Sequence, residues 1–210
     1  MFVLNAKRSI PRNRLKMLEP LKILEEEWRN IKLGIKTSKH DYHSFVFSTI
    51  RNKNPDSRTV ILRGFDEIAP SIWFHTDIRS KKILDLNKNE RISALFYDRS
   101  RKVQLRISGS AYIDENSHSN GKIWKSMSPE SKLCYTGPYA PSEPLINYAP
   151  NIIEKSAYEI NEEEEALGFS RFCRIKINVN NLDWLHLDHK GHKRLKFNFD
   201  KKIESKWIAS

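Results

Sequence analysis

The chain has 210 residues, 39% of them hydrophobic and five of them tryptophan, so it can bury a core and is not of the disordered class. Lysine and arginine outnumber aspartate and glutamate by 37 to 26, a net charge of +11, which favours a polyanion, an anionic lipid surface or a phosphorylated ligand as partner. The two cysteines are far apart and the glycines form neither GxG nor GxxxxGK. This argues against a disulfide framework, a zinc site and a Rossmann or P-loop nucleotide site.

The N-terminal stretch MFVLNAKRSIPRNRLKMLEP has only a short apolar start and no small-residue cleavage site. No apolar run approaches membrane-spanning length. The sequence therefore predicts a cytoplasmic protein without a membrane partner.

Apolar residues at three- and four-residue spacing, among them Leu21, Leu24 and Trp28, predict an amphipathic helix over residues 18–33 that ends near Gly34. We expect residues 1–36 to form an N-terminal extension with this helix and residues 37–210 to form the main domain. HSFVFSTIRNKNPDSRTVILRGFD then indicates a hairpin, two β-rich runs separated by the turn-forming NKNPDS.

Residues 71–76, 91–97 and 103–113 predict three more strands, and residues 80–87 predict a short helix. In the last of these strands apolar and polar residues alternate, which is typical of a strand with one solvated face. Many short strands with few helices predict a mainly β (α+β) fold, a small β-barrel with helical additions.

The remaining sequence predicts a helix over residues 122–132, a long proline-rich loop at PYAPSEPLINYAP and a solvated helix over the acidic residues 161–168. Strand-like patterning returns over residues 171–179 and 182–199. Cys134 and Cys173 have no histidine or cysteine neighbour that would activate them, so we expect two buried thiols.

At Ser80 the chain passes from a predicted strand into a helix, where free backbone N–H groups and the helix dipole attract anions. Arg79, Lys81 and Lys82 surround this point, and residues 58–63 bring further arginines on a strand. The pattern favours a phosphate site. The alternative is a capped helix with solvated basic residues.

Three segments in this order, PDSRTVILRGFD, WFHTDIRSKK and VQLRISGSAYI, resemble the pyridoxamine 5′-phosphate oxidase-like family of FMN-binding split barrels, and TDIRS resembles its oxidase-related branch. The resemblance implies a split β-barrel of six-stranded type, a homodimer with FMN at the subunit interface, and an oxidoreductase acting on a small molecule.

The resemblance also assigns residues. It implies contacts to FMN from the strand Arg58, Thr59, Val60, Ile61, Leu62 and Arg63, from the pair His75 and Thr76, and from Arg79, Ser80, Lys81 and Lys82. It further implies that Gln104, generally on the partner subunit's side, and Trp184 and Arg194 frame the flavin ring.

Three substrate contacts are implied as well, Arg63, Ser131 and His192. The oxidases hold the substrate phosphate with Tyr, Arg and Ser at four-residue spacing, whereas Ile123, Met127 and Ser131 stand there in this chain. We therefore expect a substrate other than pyridoxamine phosphate itself. No residue is assigned as general acid or base.

Two other functions stay open. The same barrel could hold FMN, or haem, as a carrier or sensor without turnover. The other open function is nucleic-acid binding. It is suggested by aromatic residues among basic ones in KRSIPRNRLK and KGHKRLKFNF, although an RNP-like or helix-turn-helix pattern is missing. The histidines His186, His189 and His192 recur in a strand-like tail, which would spread them over both faces, so no metal site is predicted.

Overall fold

The computed structural model describes residues 12–114, 117–152, 156 and 159–210, so the first five residues of the basic stretch KRSIPRNRLK lie outside the described residues. Its helices are α1 (Arg12–Lys36), α2 (Lys81–Lys88), α3 (Ser117–Ser126), α4 (Pro129–Leu133) and α5 (Glu162–Arg171), with a short 3₁₀ helix at Asp41–His43. Its strands are β1 (Ser44–Arg51), β2 (Asn54–Ile61), β3 (Gly64–Asp66), β4 (Ser71–Asp77), β5 (Arg91–Asp98), β6 (Val103–Asp114), β7 (Phe172–His186), β8 (Lys193–Asn198) and β9 (Glu204–Ile208).

All nine strands belong to one antiparallel sheet with the order β2-β1-β5-β6-β7-β4-β3, and β8 and β9 continue from β7. This confirms the mainly β fold with helical additions. The sequence pattern did not indicate β3 and β9, and β7 runs without interruption over residues 172–186, where two separate strands were expected.

The strand β7 is the longest, with 15 residues. It pairs with β6 on one side, and on the other side it pairs first with β4 and then with β8. The register with β6 shifts between Ser108 and Gly109, where a Cβ on Gly109 would lie 1.9 Å from the carbonyl oxygen of Asn178. Only glycine allows the two backbones to approach so closely.

The predicted N-terminal helix is confirmed as α1, but it continues past Gly34 to Lys36. Gly34 serves the packing of the helix, because a Cβ there would lie 2.6 Å from the carbonyl oxygen of Tyr42. Leu24, Trp28 and Ile31 are buried in the same hydrophobic core as the strands. A domain boundary at residue 36 stays a prediction, and α1 packs as part of the barrel.

The predicted first hairpin is confirmed, but its turn is shorter than NKNPDS. Asn52 and Lys53 alone form it, with φ of 50° and 67°, the left-handed conformation that tight hairpin turns require. Pro55 therefore lies inside β2 and not in the turn. The sheet tolerates this proline because β2 is an edge strand.

The single helix expected over residues 122–132 is two helices. Ser128 separates them, and its hydroxyl accepts a hydrogen bond from the backbone N–H of Ser131 at the start of α4. The acidic helix is confirmed as α5, where Asn161 and Glu164 form a capping box. In the described portion of the chain, no helix is long and apolar enough to cross a membrane.

Candidate cofactor site

A cleft of about 580 Å³, here called the main cleft, opens where β2, β4 and the α3–α4 turn meet. Three consecutive residues of β2 line it, Thr59 to Ile61, together with two residues of β4 and Lys82 near the start of α2. Its lining comprises Thr59, Val60, Ile61, Arg63, His75, Thr76, Lys82, Ser126, Met127, Ser128, Ser131, Cys134 and Tyr135. Eight of these thirteen are among the seventeen site residues predicted from the sequence, so about half of the predicted residues line this cleft.

A smaller cleft of about 290 Å³, the basic cleft, adjoins the main cleft and shares Lys82 with it. Its lining comprises Arg51, Asp56, Ser57, Arg58, Ser80, Lys81, Lys82, Pro141 and Ser142. Four cations thus stand against one carboxylate among its described lining residues. The strand-to-helix passage at Ser80 and the arginine of β2 meet here, as expected for an anion site.

Lys82 is the central cation of the two clefts. Its Nζ donates a hydrogen bond to the hydroxyl of Thr76 at 2.9 Å, and that hydroxyl lies 3.4 Å from the Ser80 hydroxyl. Among the described residues, Lys82 forms no ion pair with a carboxylate. Burial and the neighbouring Arg58 guanidinium lower the pKa of Lys82, because both disfavour an uncompensated positive charge.

Arg58 is held in a fixed position on β2. Its Nη2 contacts the Asp56 carboxylate at 2.6 Å, and its Nη1 donates to the Thr49 hydroxyl at 2.8 Å. The same Thr49 hydroxyl donates to the buried Asp85, which Arg51 also contacts. The guanidinium is therefore oriented before any ligand arrives, which lowers the entropic cost of binding.

Two residues predicted to contact the cofactor, Arg79 and Leu62, contact other parts of the protein in this structure. The guanidinium of Arg79 is bound to the Asp77 carboxylate at 2.6 Å and contacts the carbonyl oxygen of Gly137, and it lines neither cleft. Leu62 is fully buried in the core, and its backbone N–H donates to the carbonyl oxygen of His43. A role for either in binding a ligand stays a prediction.

Gln104, Trp184, Arg194 and His192 lie away from both clefts within one subunit. The indole Nε1 of Trp184 donates to the buried carboxylate of Glu27, beneath α1. Arg194 forms a two-pronged contact with Asp183, at 2.9 and 2.7 Å. His192 lies in the β7–β8 loop, where its Nδ1 accepts a hydrogen bond from the backbone N–H of Asp188.

One of the two cysteines is exposed, and the prediction that both are buried is wrong. Cys173 is buried, as expected, whereas Cys134 is exposed and lines the main cleft beside Tyr135. The sequence carried no signal for this, because it depends on where α4 ends. The chain turns after Leu133, which is buried, and directs the next two residues toward the cleft.

His75 lies on β4 against the ring of Phe172 at 5.0 Å. Burial, together with the positive charges of Arg63 and Arg174, lowers the pKa of His75 to about 4. The imidazole is therefore neutral at pH 7 and can serve as a hydrogen-bonding group without adding charge to the cleft.

Comparison with known proteins finds pyridoxamine 5′-phosphate oxidases and proteins related to them among the similar sequences and structures. Residues 25–115 match the model described as pyridoxamine 5′-phosphate oxidase, FMN-binding domain. Pyridoxine/pyridoxamine 5′-phosphate oxidase 2 of Arabidopsis thaliana is 28% identical over 181 residues, covering 81% of this chain and 87% of the relative. The corresponding oxidase of Pelagibacter ubique is 24% identical, covering 99% of this chain and 98% of its own.

Two solved structures share the fold. A pyridoxamine 5′-phosphate oxidase-related, FMN-binding protein of Nostoc punctiforme superimposes with a TM-score of 0.69 at 19% identity, over 89% of this chain and 96% of its own. PhzG of Burkholderia lata, solved with tetrahydrophenazine-1-carboxylic acid, gives 0.67 at 18% identity, over 91% and 92%.

The residues of this chain fit FMN. A phosphate dianion suits the basic cleft, where Lys82 carries a positive charge without a carboxylate partner among the described residues. The main cleft adjoins it at Lys82 and has room for a flat ring system against a partly apolar lining. Residues 25–115 therefore match an FMN-binding domain of the pyridoxamine 5′-phosphate oxidase type, and the chain has the fold of a pyridoxamine 5′-phosphate oxidase-related, FMN-binding protein.

Proposed function

We propose that this protein is an FMN-dependent oxidoreductase that acts on a small molecule other than pyridoxamine phosphate, and that it works as a homodimer. The observation that carries the proposal is the continuity of the two clefts through Lys82. The basic cleft is rigid and lined by cations, and the main cleft is wider and partly apolar.

In this proposal Arg58, Ser80, Lys81 and Lys82 hold the cofactor phosphate, and the segment 59–61 of β2 lies along the flavin ring. When bound, the flavin supplies hydride or electron transfer. The protein's own residues bind and orient the reactants and limit access of water. Neutral His75 offers one hydrogen-bond donor and one acceptor to a ligand in the main cleft.

The substrate assignment is supported by the residues near the α3–α4 turn. Met127 and Ser131 line the main cleft, and Ile123 lies beside it in an adjoining cleft. Where the oxidases hold the substrate phosphate by Tyr, Arg and Ser, only the serine can donate a hydrogen bond here. Arg63, at the position of a substrate-contacting lysine, keeps the charge but presents a planar fork.

The dimer is supported by where the remaining predicted contacts lie. Gln104, Trp184 and Arg194 are outside the main cleft of their own subunit, so a second subunit is needed to bring such residues to a flavin. Sedimentation velocity at micromolar concentration tests this. A species of about 49 kDa, twice the chain mass of 24.7 kDa, is expected, and a monomer that binds FMN at full occupancy would contradict it.

A second candidate is an FMN-binding protein without turnover. It is favoured by the main cleft itself, whose described lining includes no carboxylate and whose histidine stays neutral, so that a strong general acid or base is missing there. The two candidates predict the same spectrum and differ in turnover.

The experiment starts with the visible absorption spectrum of the purified protein and the mass of whatever heat denaturation releases. A flavin spectrum with released FMN supports both candidates. Steady-state oxidation of NADH or NADPH, or oxidase turnover with a panel of small reductants, then favours the enzyme. A flavin that is neither reduced nor reoxidised at a measurable rate favours the carrier. A colourless protein that does not take up added FMN contradicts both.

A further inference from the structure

We propose that Asp56 is a specificity-determining residue of the basic cleft, because its carboxylate competes with the phosphate of the cofactor for the guanidinium groups of Arg51 and Arg58. This role rests on the proposed function, in which the basic cleft holds the phosphate of FMN. Asp56 opposes binding, so replacing it by a neutral residue should tighten the hold on FMN.

Two arginines share one oxygen atom of Asp56. Its Oδ2 lies 2.7 Å from Nη1 of Arg51 and 2.6 Å from Nη2 of Arg58, and all three residues line the basic cleft. Asp56 and Arg58 are two positions apart on β2, so their side chains leave the same face of the strand. The carboxylate therefore takes up the guanidinium donors that a phosphate oxygen would use.

A second carboxylate near the same arginines, Asp85, is held much more firmly. Its side chain is 6% exposed, and it accepts hydrogen bonds from the Thr49 hydroxyl at 2.8 Å and from Nε and Nη2 of Arg51 at 3.1 and 2.9 Å. The side chain of Asp56 is 33% exposed, and within the described part of the chain its carboxylate contacts only the two arginines. Asp85 is therefore fixed, whereas Asp56 can turn toward water at little cost.

Arg58 keeps its orientation without Asp56. Its Nη1 donates to the Thr49 hydroxyl at 2.8 Å, and its guanidinium lies over the ring of Phe47 at 5.7 Å. Both contacts come from β1, the neighbouring strand, and neither involves a carboxylate. Losing the charge of Asp56 would thus free donors of the guanidinium without releasing it from the wall of the cleft.

The charges decide how the competition ends. A phosphate monoester carries nearly two negative charges at pH 7, and Asp56 carries one. Lys82 adds a cation that has no carboxylate partner among the described residues. The phosphate can therefore displace Asp56, but the carboxylate stays nearby and repels it. One charge repelling two across about 6 Å of water weakens binding about tenfold.

The test compares FMN with riboflavin, which has the same ring system and no phosphate. Both are titrated into flavin-free protein, wild type and Asp56→Asn, and quenching of flavin fluorescence gives the dissociation constants. We expect Asp56→Asn to bind FMN about tenfold more tightly than wild type, and riboflavin equally well. Asparagine has the same shape and keeps an oxygen that accepts from Arg58, so only the charge is lost. A role of Asp56 in orienting Arg58 would give the opposite sign, a weaker binding of FMN.

Two variants serve as controls. Asp41→Asn makes the same change in another carboxylate that pairs with an arginine, Arg99, and Asp41 lines neither cleft. It should leave the dissociation constant of FMN within about threefold of wild type. Asp56→Glu keeps the charge and should also stay within about threefold.

Weaker or unchanged FMN binding by Asp56→Asn, or an equal gain for riboflavin, would overturn the inference. If wild type then still binds FMN more tightly than riboflavin, the phosphate site stands and only the role of Asp56 fails. If the two flavins bind alike, or neither binds, the phosphate site of the proposed function fails. Inorganic phosphate then decides the role of Asp56, since it should raise the unfolding temperature of Asp56→Asn more than that of wild type, and equal rises would overturn the inference as well.

Discussion

The indole Nε1 of Trp184 donates a hydrogen bond to the carboxylate of Glu27 at 2.9 Å, which joins α1 to β7 across 157 positions of sequence. Glu27 is only 1% exposed, and it also accepts hydrogen bonds from the Tyr42 hydroxyl and from both terminal nitrogens of Arg101. Arg101 in turn binds Asp98 at 2.6 Å. Burial would raise the pKa of Asp98, but the hydrogen bonds from Arg101 and Ser100 bring it down to about 2.

Replacing Arg101 by methionine should destabilise the protein strongly, because it leaves the Glu27 charge buried and unpaired. The expected loss is about 3–5 kcal/mol in the free energy of unfolding. Urea denaturation followed by tryptophan fluorescence measures it. Arg99→Ala is the control, since Arg99 is 81% exposed and its contact with Asp41 should contribute less than about 1 kcal/mol. Similar losses in the two variants would contradict the buried-network interpretation.

Replacing Lys82 by glutamine should weaken FMN binding about 10- to 100-fold, because the basic cleft loses its central cation. The fold should persist, since the lysine Nζ bonds only the Thr76 hydroxyl among the described residues. Fluorescence quenching of added FMN gives the dissociation constant. Lys88→Gln, at the other end of α2, removes an equal charge outside the clefts and should change the constant less than threefold, a margin of about 0.7 kcal/mol. An unchanged FMN affinity in Lys82→Gln would show that the phosphate lies elsewhere.

His75 should make stability fall as the pH falls. Its pKa in the folded protein is about 4, below the ordinary value of 6.5, so the unfolded chain takes up the proton first. Stability is full above pH 6.5 and declines toward pH 4, by about 3 kcal/mol in total. The difference between wild type and His75→Gln, measured by urea denaturation from pH 7 to pH 4, isolates this contribution. His189→Gln, at an exposed histidine, should retain the wild-type slope. Parallel curves for wild type and His75→Gln would contradict the prediction.

Two glycines should respond oppositely to alanine. At Gly109 the new Cβ would meet the Asn178 carbonyl oxygen at 1.9 Å, so the β6–β7 register must distort, at a cost of about 1–3 kcal/mol or more. At Gly121, inside α3, the nearest atom is 3.9 Å away, and the change should stabilise the helix by up to about 1 kcal/mol. Thermal unfolding of both variants checks the signs. Destabilisation of equal size at both sites would count against the close approach at Gly109.

The parts that sequence predicts best are local. The two β-rich runs of the first hairpin and the strand-to-helix passage at Ser80 show in neighbouring residues, so both could be placed without knowing what packs against them. That residues of β2 lie close to Lys82 was implied only by the resemblance to known motifs.

The parts that sequence missed depend on distant contacts or on short elements. The three residues of β3 are too few to show the two-residue period of a strand. β3 pairs with β4, and Gly64 is opposite Trp73, where a side chain would collide with the indole ring. The exposure of Cys134 depends on where α4 ends, directly after Leu133. The bond between Trp184 and Glu27 has no local signal at all, and it places Trp184 beneath α1, which the resemblance did not imply.

The length of β7 determines which parts of the sheet can unfold separately. One strand supplies the hydrogen-bonding partner of β4, beside the cofactor clefts, and also of β8, which leads to the C-terminal hairpin. The two halves therefore cannot fray independently at their shared edge, because each holds the same backbone in register with β6. Amide protons of Ile175 and Leu182, on opposite sides of the bulge, should exchange with solvent together, with the free energy of global unfolding.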